Sequence, residues 1–367
     1  MRDMAEIATK TRIYLDHAAT TPVLPAAIAA MIEAAAVIGN PSSVHAGGRA
    51  ANALVETARD AIAAWAGVAP DAIVFTSGGT EALALALHGT RLPRLLVSAT
   101  EHSAVLAARS DAAHIPVDGD GLIDLAALES ALSHGPALVA VQHANNETGV
   151  VQPSAIIAEM VAASGGLLLV DAVQSAGKLP LPAADFVAVS AHKLGGPPGI
   201  GALIVRNPAT LTAVQKGGGQ ERGLRGGTPN LPGIAGFAAA VAAASDWSAV
   251  AARRDTLEAS LHTLHPGVRS HCAAAPRLPN FASIGLPGVK AGTQVMALDL
   301  AGIMVSAGAA CSSGKVASSH VLAAMGLGEA AGEAIRISLA PSTTDDDIIA
   351  FLAAWHDMAN RLSRKAA

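Results

Sequence analysis

Aromatic side chains are scarce in this chain of 367 residues: five Phe, three Trp and one Tyr make up 2% of it. So few rings leave little for base stacking, and the abundant alanine favours helices packed through small side chains instead. Charge is sparse as well, with 24 basic residues against 29 acidic ones and a net charge of -5. No Lys/Arg cluster approaches the density that phosphate neutralisation needs, so a nucleic-acid surface is not expected and the partner is a small molecule or a protein. Cysteine occurs at two positions, Cys272 and Cys311. Two thiols cannot make a disulfide framework, which fits a reducing cytoplasm. No apolar stretch reaches the roughly 20 residues of a membrane span, and Asp3, Glu6 and Lys10 precede any apolar run, against a secretory signal. A soluble cytoplasmic protein with no membrane contact is expected. The 13 histidines are scattered, none at metalloprotease spacing, so no dedicated metal site is expected.

What the chain does have is apolar material, 51% of its residues, enough for a large domain plus a smaller one. Ile73 to Thr76, Arg94 to Ser98, Ala137 to Gln142, Leu167 to Val170 and Asp185 to Val189 are short apolar runs bounded by Gly, Pro or polar residues, and read as buried strands. Between them Glu81 to His88, Ser103 to Arg109, Leu125 to Ser133 and Ser154 to Ser164 read as helices. Alternation of this kind predicts a largely parallel sheet, whose ligands collect outside the carboxyl ends of the strands. Each run delivers polar residues there: Ser77 to Thr80, Glu101 and His102, Asn145 and Asn146, Asp171 and Gln174, and Ser190, His192 and Lys193. After about Trp247 the pattern changes to a charged helix near Arg253 to Leu264, Pro-rich loops, Thr293 to Leu300 and a last helix from Thr344 to Leu362, predicting a second, smaller domain.

Several of these residues carry two readings. Gly78-Gly79-Thr80 at a strand-to-helix turn is either plain turn geometry or a phosphate cradle of free amides at the positive helix end. Asp171 suits a helix N-cap, or a partner for a protonated pyridine nitrogen. Lys193 is one solvated cation among many, or an amine for a Schiff base if its surroundings lower its pKa. His102 is a satisfied polar residue at a helix start, or an acid-base group. Arg336, in the alternating run Ile335-Arg336-Ile337, faces water, or faces inward to meet an anion. Cys311 lies in Ser306-Ala307-Gly308-Ala309-Ala310-Cys311-Ser312-Ser313-Gly314, a run of small residues that reads as a loop exposing a reactive thiol rather than as packing. Cys272 is expected to have no catalytic role. Gly196 to Gly201 resembles a nucleotide loop, yet Ala202 and Leu203 stand where Lys and Ser/Thr must be, and Ser312-x-x-Lys315 lacks the companion motifs of a serine hydrolase.

Taken in order, Leu15-Asp16-His17-Ala18-Ala19-Thr20-Thr21-Pro22, Gly39 to His45, Thr76 to Glu81, Glu101-His102, Asn145 to Gly149, Ser190-Ala191-His192-Lys193, Gly218 to Arg222 with Arg225 to Thr228, the Cys311 loop and Ile335 to Leu339 resemble the NifS/IscS cysteine desulfurases of the class V aminotransferase group. The resemblance implies an α/β fold of fold type I pyridoxal 5'-phosphate (PLP) enzymes. Its large domain, residues 16–250, carries a mostly parallel seven-stranded sheet between helices; residues 1–15 and 251–367 form a smaller α+β domain. It implies that Gly79, Thr80, Ser190 and His192 hold the cofactor phosphate, with Thr228 reaching the phosphate of the partner subunit in a homodimer. It further implies that Lys193 tethers the cofactor, His102 stacks on it, Gln174 and Asn146 meet its phenolic oxygen, and Asn146 and Arg336 take the substrate carboxylate. Cys311 would remove sulfur from L-cysteine as a persulfide, leaving alanine, for an iron-sulfur scaffold or a tRNA-thiolation protein. A selenocysteine lyase or aminotransferase would share the cofactor site without needing Cys311, and a non-catalytic sulfur-relay partner would lack the yellow chromophore. His17 stands where the family's pattern usually has asparagine.

Overall fold

The computed structural model describes residues 12–243, 245–308 and 318–366. Its strands, in chain order, are β1 (Ile13–Tyr14), β2 (Ile73–Thr76), β3 (Leu95–Ser98), β4 (Ala113–Ile115), β5 (Leu138–Gln142), β6 (Leu167–Asp171), β7 (Phe186–Ser190), β8 (Gly201–Val205), β9 (Arg269–Ser270), β10 (Phe281–Gly285), β11 (Ile303–Met304) and β12 (Ala334–Ser338). Its helices are α1 (Pro25–Ala35), α2 (Ala46–Ala66), α3 (Gly79–Gly89), α4 (Ser103–Leu106), α5 (Leu125–Leu132), α6 (Ser154–Ala163), α7 (Leu231–Val241), α8 (Ser248–Leu264), α9 (Ala291–Leu300), α10 (His320–Ala324) and α11 (Asp345–Ala366).

The expected seven-stranded sheet is present, in the order β2-β8-β7-β6-β5-β3-β4. All neighbours are parallel except β8, which runs antiparallel to β2 and to β7. β2, β3, β5, β7 and β8 are buried at every residue, as befits strands covered on both faces, and this is why they read as unbroken apolar runs. From β3 the chain moves outward to β4 and then returns to β5 on the other side of β3. That reversal opens a crevice at the carboxyl ends of β3 and β5.

Two buried clusters cover one side and the other of β2, β7 and β8, built respectively around Ile62, Ile234 and Phe237 and around Leu83, Leu87 and Phe186. A third cluster gathers Leu15, Leu257, Leu261, Ile284, Leu298, Ile335, Phe351 and Trp355, so the N-terminal strand packs with the last third of the chain. There β1 pairs with β11, and β10 lies between β9 and β12. The expected helix Ser103 to Arg109 closes earlier, at Leu106; Arg109 is engaged instead by Asp111 and the Pro93 carbonyl. No helix among the described residues is long and apolar enough to cross a membrane.

Candidate active site

A cleft of about 620 Å³ opens at the carboxyl edge of the central sheet. It brings together ten of the residues singled out above: Gly79, Thr80, His102, Asn146, Asp171, Gln174, Ser190, His192, Lys193 and Arg336. Thr228 is not among them. It lines a separate cavity of about 200 Å³ with Ser77, Arg225 and Asn230. Cys311 lies outside the described residues, although Gly308 and Ser318 both line the cleft.

At the end of β2 the chain turns through Ser77 and Gly78 into α3. Gly78 is the N-cap and no side chain caps the helix, so the first-turn amides, those of Gly79 and Thr80 included, have no intrahelical acceptor. Gly79 is required by packing: a Cβ there would lie 2.6 Å from a methyl of Val173. The turn is held from behind, because the Glu81 carboxylate accepts from the Ser77 amide at 2.6 Å and from Arg225 at 2.7 Å. Ser190 ends β7 opposite this turn, and His192 follows it. Burial, then the charge of Lys193, lowers the His192 pKa to about 4, so its ring is neutral near pH 7. These are the parts of an anion site: dipoles and neutral donors around a helix start.

Lys193 ends the short 3-10 turn after β7. Its Nζ donates to the Ala18 and Ala19 carbonyls, the latter at 2.7 Å. Burial first, then the nearby Arg336 cation, lowers its pKa to about 8, while Asp16 and Asp171 act the other way. A lysine in this state supplies neutral amine near neutral pH. Asp171, the last residue of β6, accepts the Val173 amide at 2.9 Å; no helix lies between β6 and β7, so its carboxylate caps a turn and not a helix, and it lines the cleft. Burial pushes its pKa up to about 6. Gln174 donates from Nε2 to the Ala18 carbonyl at 2.9 Å.

His102 caps α4, its Nδ1 accepting the Ala104 amide at 3.1 Å. In the neutral ring the proton therefore sits on Nε2. Burial, then Lys193 and His320, holds its pKa below the usual value. Arg336 faces inward from β12, not toward water. Its Nη1 donates to the Asn146 carbonyl at 2.8 Å and its Nη2 to Asp16 at 2.7 Å, while Nε is buried with no partner among the described residues. Cys272 is buried and its thiol pKa is pushed up to about 12, chiefly by desolvation, which makes it inert.

Some members of the cleft escaped sequence reasoning. Asp16, which adjoins the cleft through its bond to Arg336, has no role in the sequence reading, and nothing in residue type marks the Ala18 and Ala19 carbonyls as lysine acceptors. Glu147 is buried, raised in pKa by that burial, and accepts from Ser319 at 2.5 Å. His320 joins the lining with its Nε2 on the Glu101 carbonyl at 2.9 Å.

The sequence profile described as Aminotransferase class-V matches residues 13–351. The chain belongs to that family. Among its class-V relatives is the cysteine desulfurase of Cereibacter sphaeroides, 42% identical over 360 residues, an alignment covering 92% of this chain and 93% of the relative. The IscS-like cysteine desulfurase of Mycobacterium tuberculosis is 37% identical, with 96% and 98% covered. The X-ray structure of a NifS-like protein from Rickettsia africae superposes with a TM-score of 0.87 at 34% identity, over 95% of this chain and 99% of that one. Class-V enzymes of this kind depend on PLP, and the cleft fits that group. An uncapped helix start suits its phosphate, a lysine of lowered pKa its aldehyde, and a buried carboxyl its ring nitrogen.

Proposed function

We propose that this protein is a PLP-dependent cysteine desulfurase, which takes sulfur from L-cysteine, releases L-alanine and carries the sulfur as a persulfide on Cys311. The observation that carries the reading is the convergence of Lys193, Asp171 and Arg336 on one cleft in a chain 42% identical to a cysteine desulfurase. PLP supplies, when bound, an electron sink for the pair left at the substrate's α-carbon. Gly79, Thr80, Ser190 and His192 hold the phosphate, and Thr228 reaches across a homodimer to the partner subunit's phosphate; its place outside the cleft of its own chain is compatible with that role. Asp171 would keep the ring nitrogen protonated, Gln174 and Asn146 would meet the phenolic oxygen, and His102 would face the ring with its Nε2 proton available to donate. Arg336, with Asn146, orients the substrate carboxylate. The Lys193 amine, neutral in a large fraction of molecules near pH 8, takes the α-proton at Nζ. The Cys311 thiolate attacks the substrate sulfur; the C–S bond breaks and the carbon fragment becomes alanine.

Residues 16–250 then serve as the PLP-binding domain, and 1–15 with 251–367 as the second; the packing of Leu15 among C-terminal residues supports that division. The acceptor is an iron-sulfur scaffold or a tRNA-thiolation protein in the cytoplasm. Mass spectrometry after incubation with L-cysteine tests the reading: one additional sulfur is expected on the peptide containing Cys311, with alanine released. A Cys311→Ala enzyme that still frees sulfide at the normal rate would overturn it.

A further inference from the structure

The turn Asp16–Thr20 touches both working ends of the cleft. Its Ala18 and Ala19 carbonyls hold the Lys193 ammonium, Ala18 also accepts from Gln174, and the Asp16 carboxylate binds Arg336. The turn is itself fixed. The Tyr14 hydroxyl shares its proton between the Asp16 carbonyl at 3.0 Å and the Thr20 carbonyl at 2.8 Å, and the amides of His17 and Ala18 bond to Ser338, two residues from Arg336 on β12.

Arg336 is thus gripped at two points of its fork, by Asp16 and by the Asn146 carbonyl, while Nε has no partner among the described residues. A guanidinium held in this way loses little rotational freedom when a carboxylate arrives. The same grip offsets its charge. The Arg336 side chain is 6% exposed and that of Asp16 is 21% exposed, so the pair is screened less than a surface pair and an incoming anion meets a partly neutralised cation.

We propose that Asp16 is a positioning residue that fixes the plane of Arg336 and moderates its pull on the α-carboxylate of an amino acid, so that substrate is oriented yet product can leave. The inference rests on Arg336 being the carboxylate-binding group of the proposed function. Two variants separate orientation from charge. Asp16→Asn keeps an oxygen acceptor for Nη2 of Arg336 and removes the negative charge; Asp16→Ala removes both.

The test is calorimetric titration of the PLP-loaded protein with L-alanine, and with ethylamine, which lacks the carboxylate. Asp16→Asn is expected to tighten L-alanine by about three- to ten-fold, and Asp16→Ala to weaken it by at least about ten-fold, with ethylamine within about two-fold throughout. For L-cysteine turnover, Asp16→Asn should lower KM while kcat falls, as release of alanine slows. If both variants weaken L-alanine equally, or if ethylamine moves in parallel, Asp16 only supports the local fold and the proposal fails. A wild-type protein that binds L-alanine but makes none from L-cysteine would overturn the desulfurase reading instead, leaving the order of alanine affinities to decide the role of Asp16.

Discussion

Arg59 and Arg336 are both buried and both paired with a carboxylate, yet they are completed differently. Arg59 on α2 places Nη1 and Nη2 on the two oxygens of Glu221 at 2.9 Å each, Nη1 also on the Ile73 carbonyl, and Nε on Glu56. Glu221 takes the Phe75 amide as well. This saturated network holds Glu221 and Arg222 at φ of 46° and 56°, a left-handed backbone that costs side-chain-bearing residues about 1–3 kcal/mol each. Arg336 has an Nε without a partner among the described residues, and its carboxylate partner still touches solvent. Every Arg59 nitrogen has a partner in the first network, which braces β2 from behind; the second keeps one buried donor without a partner among the described residues.

The largest effect should come from Lys193→Ala, which is expected to lower alanine formation by at least about a thousand-fold and to abolish the covalent yellow chromophore in the absorbance spectrum. Next, Arg59→Met strands a buried Glu221 and should lower the unfolding free energy by about 3–5 kcal/mol in urea melts.

Asp171→Asn should act in the opposite sense on the cofactor-free protein. Its folded carboxyl titrates at about 6 against an ordinary 3.8, so the folded state prefers the protonated acid. The resulting penalty is complete above pH 6, shrinks as pH falls toward 3.8 and is absent below. The variant should therefore gain about 3 kcal/mol near pH 7 and nothing near pH 3.5, while losing turnover. Asp171 would then be a group whose burial costs stability to serve chemistry.

The smallest effect sharpens the contrast most. Arg336→Met should cost about 1 kcal/mol of stability, since Asp16 can regain water, but should reduce kcat/KM for L-cysteine by about 100-fold, chiefly through KM. Equal stability losses for Arg59→Met and Arg336→Met would erase the distinction.

The five strands legible in the sequence are those whose apolar runs are bounded by Gly, Pro or polar residues, and their polar carboxyl ends were legible for the same reason. β4 was not, because an edge strand with exposed Ala113 and His114 lacks an apolar signature. β8 was not legible either: it opens on Gly201, the last glycine of the Gly196–Gly201 segment, with no polar residue or proline marking where it begins. Side chains at strand ends could be listed from sequence; the lysine-holding carbonyls of Ala18 and Ala19 could not, since backbone oxygens have no residue identity. The pairing of Asp16 with Arg336 joins groups 320 residues apart, beyond any local pattern. His320 carried no distinguishing neighbour, and its place in the cleft follows from the packing of α10 alone.

Tyr14 is the one tyrosine of the chain, and its hydroxyl sits on the turn that carries Asp16 and the lysine-facing carbonyls. Replacing it with fluorotyrosine would put a single fluorine nucleus beneath the site. One NMR line would then report, free of overlap, whether that turn shifts when an amino acid enters or departs.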